Sequence, residues 1–215
     1  MTLKLYYHPL SSYCHKVLIP LYENDTPFQP VLVDLGNEAS RAAFLKIWPI
    51  GKFPVIEDTT RNWMVPESSI IIEYLAQHYP GKTALIPKEA DLARQVRMRD
   101  RFFDLHIHTP MQKAMTDVLR PEGNRDPMGV EQAITQMRTA MGMLEKEIGS
   151  KEWAMGDIFT MADCSAAPAL FYANRITPLE KEFPNTDAYL KRLMERASYA
   201  RVLKEAEPYF KMLPR

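Results

Sequence analysis

Apolar and polar positions change their period several times along the first 80 residues of the chain. LKLYY (3–7) is a short, largely apolar run of the kind a buried strand shows. Residues 12–24 place Val17, Leu18 and Leu21 on one side at helical spacing. FQPVLVDL (28–35) predicts a second strand, and residues 38–46 predict a short helix. FPVIED (53–58) and NWMV (62–65) predict a hairpin joined by the polar turn at residues 59–61. ESSIIIEYLAQHY (67–79) opens with hydroxyls and continues with apolar residues at helical spacing, so it predicts a third helix. The order β-α-β-α-β-β-α implies a layered sheet covered by helices.

The grammar then changes. PGKTALIPKE (80–89) holds two prolines and a glycine, the composition of a linker. Beyond it strand patterns nearly vanish, and residues 90–118, 129–149, 160–175, 184–196 and 198–206 all predict helices. RPEGNRDPMG (120–129) is a loop by composition, and Pro110 inside the first long helical stretch predicts a kink there. The expected division is an α/β domain over residues 1–80, a linker over 81–89 and an all-α domain over 90–215.

Composition narrows the function classes. The 27 basic and 27 acidic residues cancel, which argues against a general nucleic-acid binder. Arg94, Arg97, Arg99 and Arg101 are interleaved with Asp91, Asp100 and Asp104, which reads as a solvated or subunit-facing helix side. No apolar run approaches the roughly 20 residues of a membrane span. The start lacks the basic-then-apolar layout of a signal peptide. Cys14 and Cys164 lie far apart in sequence and are expected as free thiols. A cytoplasmic protein without membrane or nucleic-acid partners is the expectation.

The chemistry concentrates at SSYCHKV (11–17), where two hydroxyls open the first helix. Ser11 or Ser12 can cap it, because a serine oxygen accepts from a free backbone amide. The same position suits a second role. A helix N-terminus carries a partial positive charge and stabilises an anion, and a thiolate held there has a lowered pKa. A serine hydroxyl can then donate to a thiolate brought in by a ligand. The S-x-x-C spacing from Ser11 to Cys14 lacks the first cysteine of a dithiol pair, so Cys14 reads as a packed helix residue.

Two further stretches add to this. Phe53-Pro54 precedes a strand, where a proline must sit at an edge or an irregular position. Were that bond cis, Phe53 would offer its backbone to a ligand binding as an added strand. Glu67 and Ser68 open the third helix. They read either as caps or as a clamp for a zwitterion, the carboxylate on an ammonium and the serine on a carboxylate.

Taken together, LYYHPLSSYCHKV, GKFPVIED and PESSIIIEYL resemble motifs of the cytosolic glutathione transferases, and most closely their serine-using, bacterial-like members. FTMADCSAAPALFYA (159–173) resembles the family's buried helix, with Thr160 and Asp163 as its capping box. The resemblance spans nearly the whole chain. It implies a thioredoxin-like N-terminal domain, a helical C-terminal domain, a homodimer, and glutathione as cosubstrate with no metal. Ser11 matches the serine that donates to the glutathione sulfur. Phe53 matches the residue that pairs with the cysteinyl part, Pro54 the cis-proline, and Glu67 and Ser68 the γ-glutamyl clamp. Lys52 matches a polar position near the peptide. Tyr7 and Ser12 are the alternative thiol activators. Trp48-Pro49 departs from the family, which commonly has asparagine before that proline.

In this family the electrophile lies between the domains. His8 and Leu10 of the first loop, with His106, His108 and Met111 of the first long helix, are the candidate wall. His106 and His108 are two positions apart, so a regular helix points them differently, and the spacing does not suit one metal. The implied activity is conjugation of glutathione thiolate to small hydrophobic electrophiles. A glutathione-dependent isomerase and a non-catalytic glutathione-binding module are the alternatives.

Overall fold

The computed structural model describes residues 2–213; Met1 and residues 214–215 of the expected second domain lie outside them. The first third has the predicted order: β1 (Leu3–Tyr7), α1 (Ser12–Glu23), β2 (Gln29–Leu32), α2 (Glu38–Ile47), β3 (Val55–Asp58), β4 (Trp63–Pro66) and α3 (Ser68–His78). The strands pair in the order β2-β1-β3-β4. β1 runs parallel to β2 and antiparallel to β3, and β3 is antiparallel to β4. A parallel pair needs a crossover, and α1 supplies it.

The expected strand over 28–35 is cut to Gln29–Leu32. β2 is an edge strand, where Pro30 is tolerated. A turn follows it, in which the Asp34 carboxylate accepts from Gly36 N at 2.8 Å. On one face of the sheet Leu3, Leu5 and Ile56 pack with Val17 and Leu21 of α1 and Ile71 and Ile72 of α3. On the other a smaller cluster joins Tyr6, Val33 and Val55 to Phe44 of α2. This is a thioredoxin-like unit with a mixed sheet between helical layers.

Helices make up the rest: α4 (Ala90–Phe102), α5 (Thr109–Asp117), α6 (Pro127–Ile148), α7 (Met161–Ala173), α8 (Leu179–Glu182), α9 (Pro184–Glu195) and α10 (Ala197–Ala206). Short 3-10 turns cover Glu122–Asn124 and Glu207–Met212. The stretch expected as one helix over 90–118 is three pieces. Between α4 and α5 the chain makes a π-helical turn over Phe103–His108, with Thr109 N–H bonded to Asp104 O. Pro110, two residues on, has no N–H for the carbonyl four residues back. The ladder therefore widens by a residue before the proline, and this irregularity takes the place of the expected kink.

α7 is the buried axis of the helical half. Twelve of its residues are buried, and Ala162, Ala166, Ala167 and Ala169 let neighbours approach. Its capping box is formed, with the Thr160 side chain accepting from Ala162 N and Asp163 accepting from Thr160 N at 2.8 Å. α7 and α10 pack on α1, so the start of α1 faces the helical half.

Candidate functional site

The loop from β1 into α1 is held from several sides. Ser11 N donates to His8 O at 3.0 Å, His15 Nε2 donates to Pro9 O at 2.6 Å, and Tyr172 Oη donates to Leu10 O at 2.8 Å. Ser11 is the N-cap of α1, its Oγ accepting from Cys14 N at 3.3 Å. Accepting that bond leaves the hydroxyl hydrogen free to donate elsewhere. No acidic residue stands in the first turn of α1, so its positive end is uncompensated from within the helix.

Neither of the other reactive side chains of this segment competes as a thiolate or phenolate. Cys14 is fully buried, and burial pushes its thiol up to about 12 despite the hydrogen bond with Ser11. Burial, helped by the nearby Glu205 charge, also pushes the Tyr7 phenol up.

A cavity of about 660 Å³ opens between the two halves. Trp48, Lys52, Phe53, Pro54, Glu67 and Ser68 line it from the α/β side, and Arg97, Arg101, Asp104, Leu105, Thr109 and Gln112 from the helical side, with Tyr13 also in its wall. Phe53–Pro54 is cis. Glu67 has φ 66°, a left-handed conformation unusual for a residue with a side chain. Its carbonyl starts α3 by accepting from Ile71 N at 2.8 Å. Its side chain makes no capping bond and is exposed beside the cavity. Such conformations persist where the surroundings hold them, often at ligand sites. Ser68 is buried as the first residue of α3.

Charges under the cavity are closely paired. Lys16 of α1 is fully buried, with Nζ 2.6 Å from Asp100 Oδ1 and 2.7 Å from Asp104 Oδ2. Lys16 Nζ donates to Ser69 Oγ at 2.9 Å, and Ser69 Oγ donates to Asp100 at 2.7 Å. Arg101 reaches Asp100, Asp104 and Ser69 from the cavity side, and Ser165 of α7 donates to Asp104 at 2.8 Å. Arg97 holds Glu73 with two bonds, at 2.7 and 2.9 Å.

Of the residues singled out from sequence, Lys52, Phe53, Pro54, Glu67 and Ser68 share this one cavity. Ser11, His8, Leu10, His106 and Met111 are not in its wall. Met111 is buried in the core, His106 is exposed, and the His8 ring stacks on Phe53 at 6.2 Å. His108 is buried and meets Ser12 across the domains. Tyr13, Leu105, Thr109 and Gln112 were not singled out from sequence, and Arg97 and Arg101, expected on a solvated or subunit-facing helix side, line the cavity instead. Helical spacing gave a signal for part of this wall: Arg101, Leu105 and Thr109 recur every four residues, on one side of a helix.

Residues 5–83 match the family model described as "Glutathione S-transferase, N-terminal domain", and residues 127–192 match "Glutathione S-transferase, C-terminal domain". The chain is 31% identical to a glutathione S-transferase-like protein LUC7 of a Fusarium species, over 79% of this chain and 76% of that one. It is 25% identical to glutathione S-transferase GstB of Escherichia coli K12, over 87% of this chain and 91% of that one. A crystal structure of a glutathione S-transferase from Methylobacillus flagellatus with glutathione bound superposes with a TM-score of 0.84, at 24% identity, over 93% of this chain and 98% of that one.

Proposed function

The chain belongs to the glutathione S-transferase family, and from that premise we propose that it conjugates glutathione thiolate to small hydrophobic electrophiles. The observation that carries the proposal is the cavity, in which an extended backbone edge and an acidic–hydroxyl pair face a second wall from the helical half. Glutathione is assigned to the α/β side. Phe53 pairs through its backbone with the cysteinyl part, beside Pro54 and Lys52. The Glu67 carboxylate, free of any capping bond, takes the γ-glutamyl ammonium. Ser68, at the N-terminus of α3, takes the α-carboxylate through its N–H and hydroxyl.

Ser11 is assigned as the donor that keeps the sulfur ionised, together with the positive end of α1. A thiol pKa lowered by about two units, from about 8.5 to about 6.5, raises the thiolate fraction at pH 7 roughly 25-fold. The thiol proton leaves to solvent. Sulfur then donates its electron pair to the electrophilic carbon, and the new C–S bond forms as a leaving group departs or as the adjacent π bond takes up a proton. Orientation of the two reactants in one cavity supplies further acceleration. Tyr13, Leu105, Thr109 and Gln112 form the wall available to the electrophile.

The same reading assigns residues 1–80 to the glutathione-binding domain and residues 90–215 to the domain that completes the pocket, joined by residues 81–89. Exposed Ile70 of α3 and Met98 of α4 support a subunit-facing side in a homodimer. Buried free thiols at Cys14 and Cys164 suit a reducing cytoplasm.

Ultraviolet difference titration of bound glutathione tests the assignment in wild type and in Ser11→Ala. The expected outcome is a thiol pKa about two units below an ordinary thiol in wild type. In Ser11→Ala, with binding retained, at least one of those units is lost. An unshifted thiol in a wild-type complex leaves a glutathione-binding module without thiol activation. No binding of glutathione overturns the assignment altogether.

A further inference from the structure

Ser12, next to the assigned donor, has a partner in the other half of the molecule. Its Oγ lies 2.5 Å from Nε2 of His108, which closes the π-helical turn. His108 is 1% exposed, and its ring stacks on Tyr13 with centroids 3.9 Å apart. Its Nδ1 is buried and has no hydrogen-bond partner among the described residues. Burial, reinforced by the charge of Lys16 and by His15, pushes the imidazole down to about 3, so the ring is neutral throughout the physiological range.

A neutral imidazole carries one N–H, and two arrangements follow. With the hydrogen on Nδ1, a donor is orphaned in the interior and the Ser12 hydrogen is consumed by Nε2. With the hydrogen on Nε2, the ring donates to Ser12 Oγ, and the Ser12 hydrogen is free to point at another acceptor. Orphaned buried N–H groups are rare in folded proteins, which selects the second arrangement. It also excludes a nucleophile–base pair, because a ring held neutral so firmly is a poor acceptor for the serine proton.

Resting on the glutathione transferase reading above, the geometry points to Ser12 as a second hydroxyl donor to the guest thiolate, with His108 Nε2–H as the positioning group that aims it. Ser12 is the first residue of α1 and half-buried, so its hydroxyl shares the positive end of that helix with Ser11. Its partner comes from the helical half, and although Ser12, like Ser11, is not itself in the cavity wall, its neighbour Tyr13 is. Two hydroxyls then divide the stabilisation of one sulfur anion. Bonds to a charged acceptor are stronger than bonds between neutral groups, which makes the second donor matter.

The test uses full-length protein and glutathione itself. Thiol pKa of the bound peptide is read by ultraviolet difference titration in wild type, Ser12→Ala, His108→Leu and His108→Gln. Ser12→Ala and His108→Leu are expected to raise it by about one unit, a roughly threefold fall in thiolate fraction at pH 7, while glutathione affinity at about pH 5.5, where the bound thiol is protonated, changes less than about twofold. His108→Gln places an amide N–H near the position of Nε2 and is expected to recover most of the shift. Nitrogen-15 spectra of the wild type are expected to show His108 protonated at Nε2. An Nδ1-protonated ring overturns the inference, and that spectrum does not depend on any variant folding. An unchanged thiol pKa in Ser12→Ala, beside one raised in Ser11→Ala, overturns it alone and leaves the transferase reading intact. Wild-type protein that binds no glutathione overturns both.

Discussion

His15 and His108 are among the most deeply buried polar side chains, at 0% and 1% exposure. Each is held neutral. Burial pushes His15 down to about 4, against the pull of its bond to Pro9 O, and His108 to about 3. The unfolded chain holds the same rings near the ordinary value of about 6.5. Below that pH the unfolded state binds two protons that the folded state refuses. Stability is therefore level above about pH 6.5 and falls as pH drops from there toward 4. The fall approaches about 1.4 kcal/mol per pH unit for each ring. Asp58 adds a later loss. Burial alone raises its carboxyl, but bonds from Tyr74, Tyr79 and the backbone of Arg61 and Thr60 hold it well below the usual carboxylate range. Its contribution is lost only below about pH 4. Urea midpoints measured from pH 8 to pH 4.5 should be flat at first and drop steeply below pH 6.5. A midpoint unchanged down to pH 5 shows that the rings are charged or solvated in the fold. None of this was legible from the sequence, because a histidine's burial depends on what packs over it. His15 meets Tyr172 and Tyr199 from residues far along the chain.

Helix α7 stands or falls on its first turn. Asp163 accepts from Thr160 N and Ala154 N, both at 2.8 Å, and from Tyr189 Oη at 2.6 Å. It thus caps α7, fixes the loop before it and ties α9 to both. Replacing it by alanine leaves these three donors, and the Thr160 hydroxyl that also donates to it at 3.2 Å, without that acceptor in the interior. Each orphaned donor costs about 1–3 kcal/mol, so Asp163→Ala should lose at least about 3 kcal/mol. Thermal unfolding measures this, and a loss below about 1 kcal/mol removes the cap from its central place. The capping box itself was readable from T-x-x-D ahead of an apolar run. So were nearly all the longer helices, whose periodic faces match what they bury. Short and irregular elements were not. α8 has four residues, too few to show a period, and was not predicted. The π-helical turn preserves helical composition while shifting register by one residue, and that shift accompanies burial of both Asp104 and His108. Pro110 gave warning of an irregularity there but not of its kind.

At the scale of the molecule, the two halves are joined by charge as well as by apolar packing. Lys16 comes from α1, Ser69 from α3, Asp100 from α4, Asp104 from the π-helical turn and Ser165 from α7. The distances bind five elements around one ammonium. Sequence reading could pair only Arg101 with Asp104, three apart on a helix. Lys16 and Asp104 are 88 residues apart, and no periodicity carries that relation. The network also forms part of the cavity wall, since Ser69, Asp100, Arg101 and Asp104 all line it. Lys16→Met keeps the length of the side chain and removes the charge. Asp100 and Asp104 then keep only Arg101, which is half exposed and reaches them from outside. Removing one partner from a buried ion pair costs about 3–5 kcal/mol, because the remaining charge has lost its compensation. The expected result is a stability loss of that size in urea. Trp48 and Trp63 report on the α/β half and Trp153 on the helical half, so single-tryptophan variants follow each half separately. Both midpoints should fall together, since the network belongs to neither half alone. Adding Asp100→Leu and Asp104→Leu to Lys16→Met should restore most of the loss, because the cost lies in the unpaired charges rather than in the missing pair. A single Lys16→Met as stable as the wild type means that solvent or Arg101 already satisfies both carboxylates, and that apolar packing alone holds the halves in register.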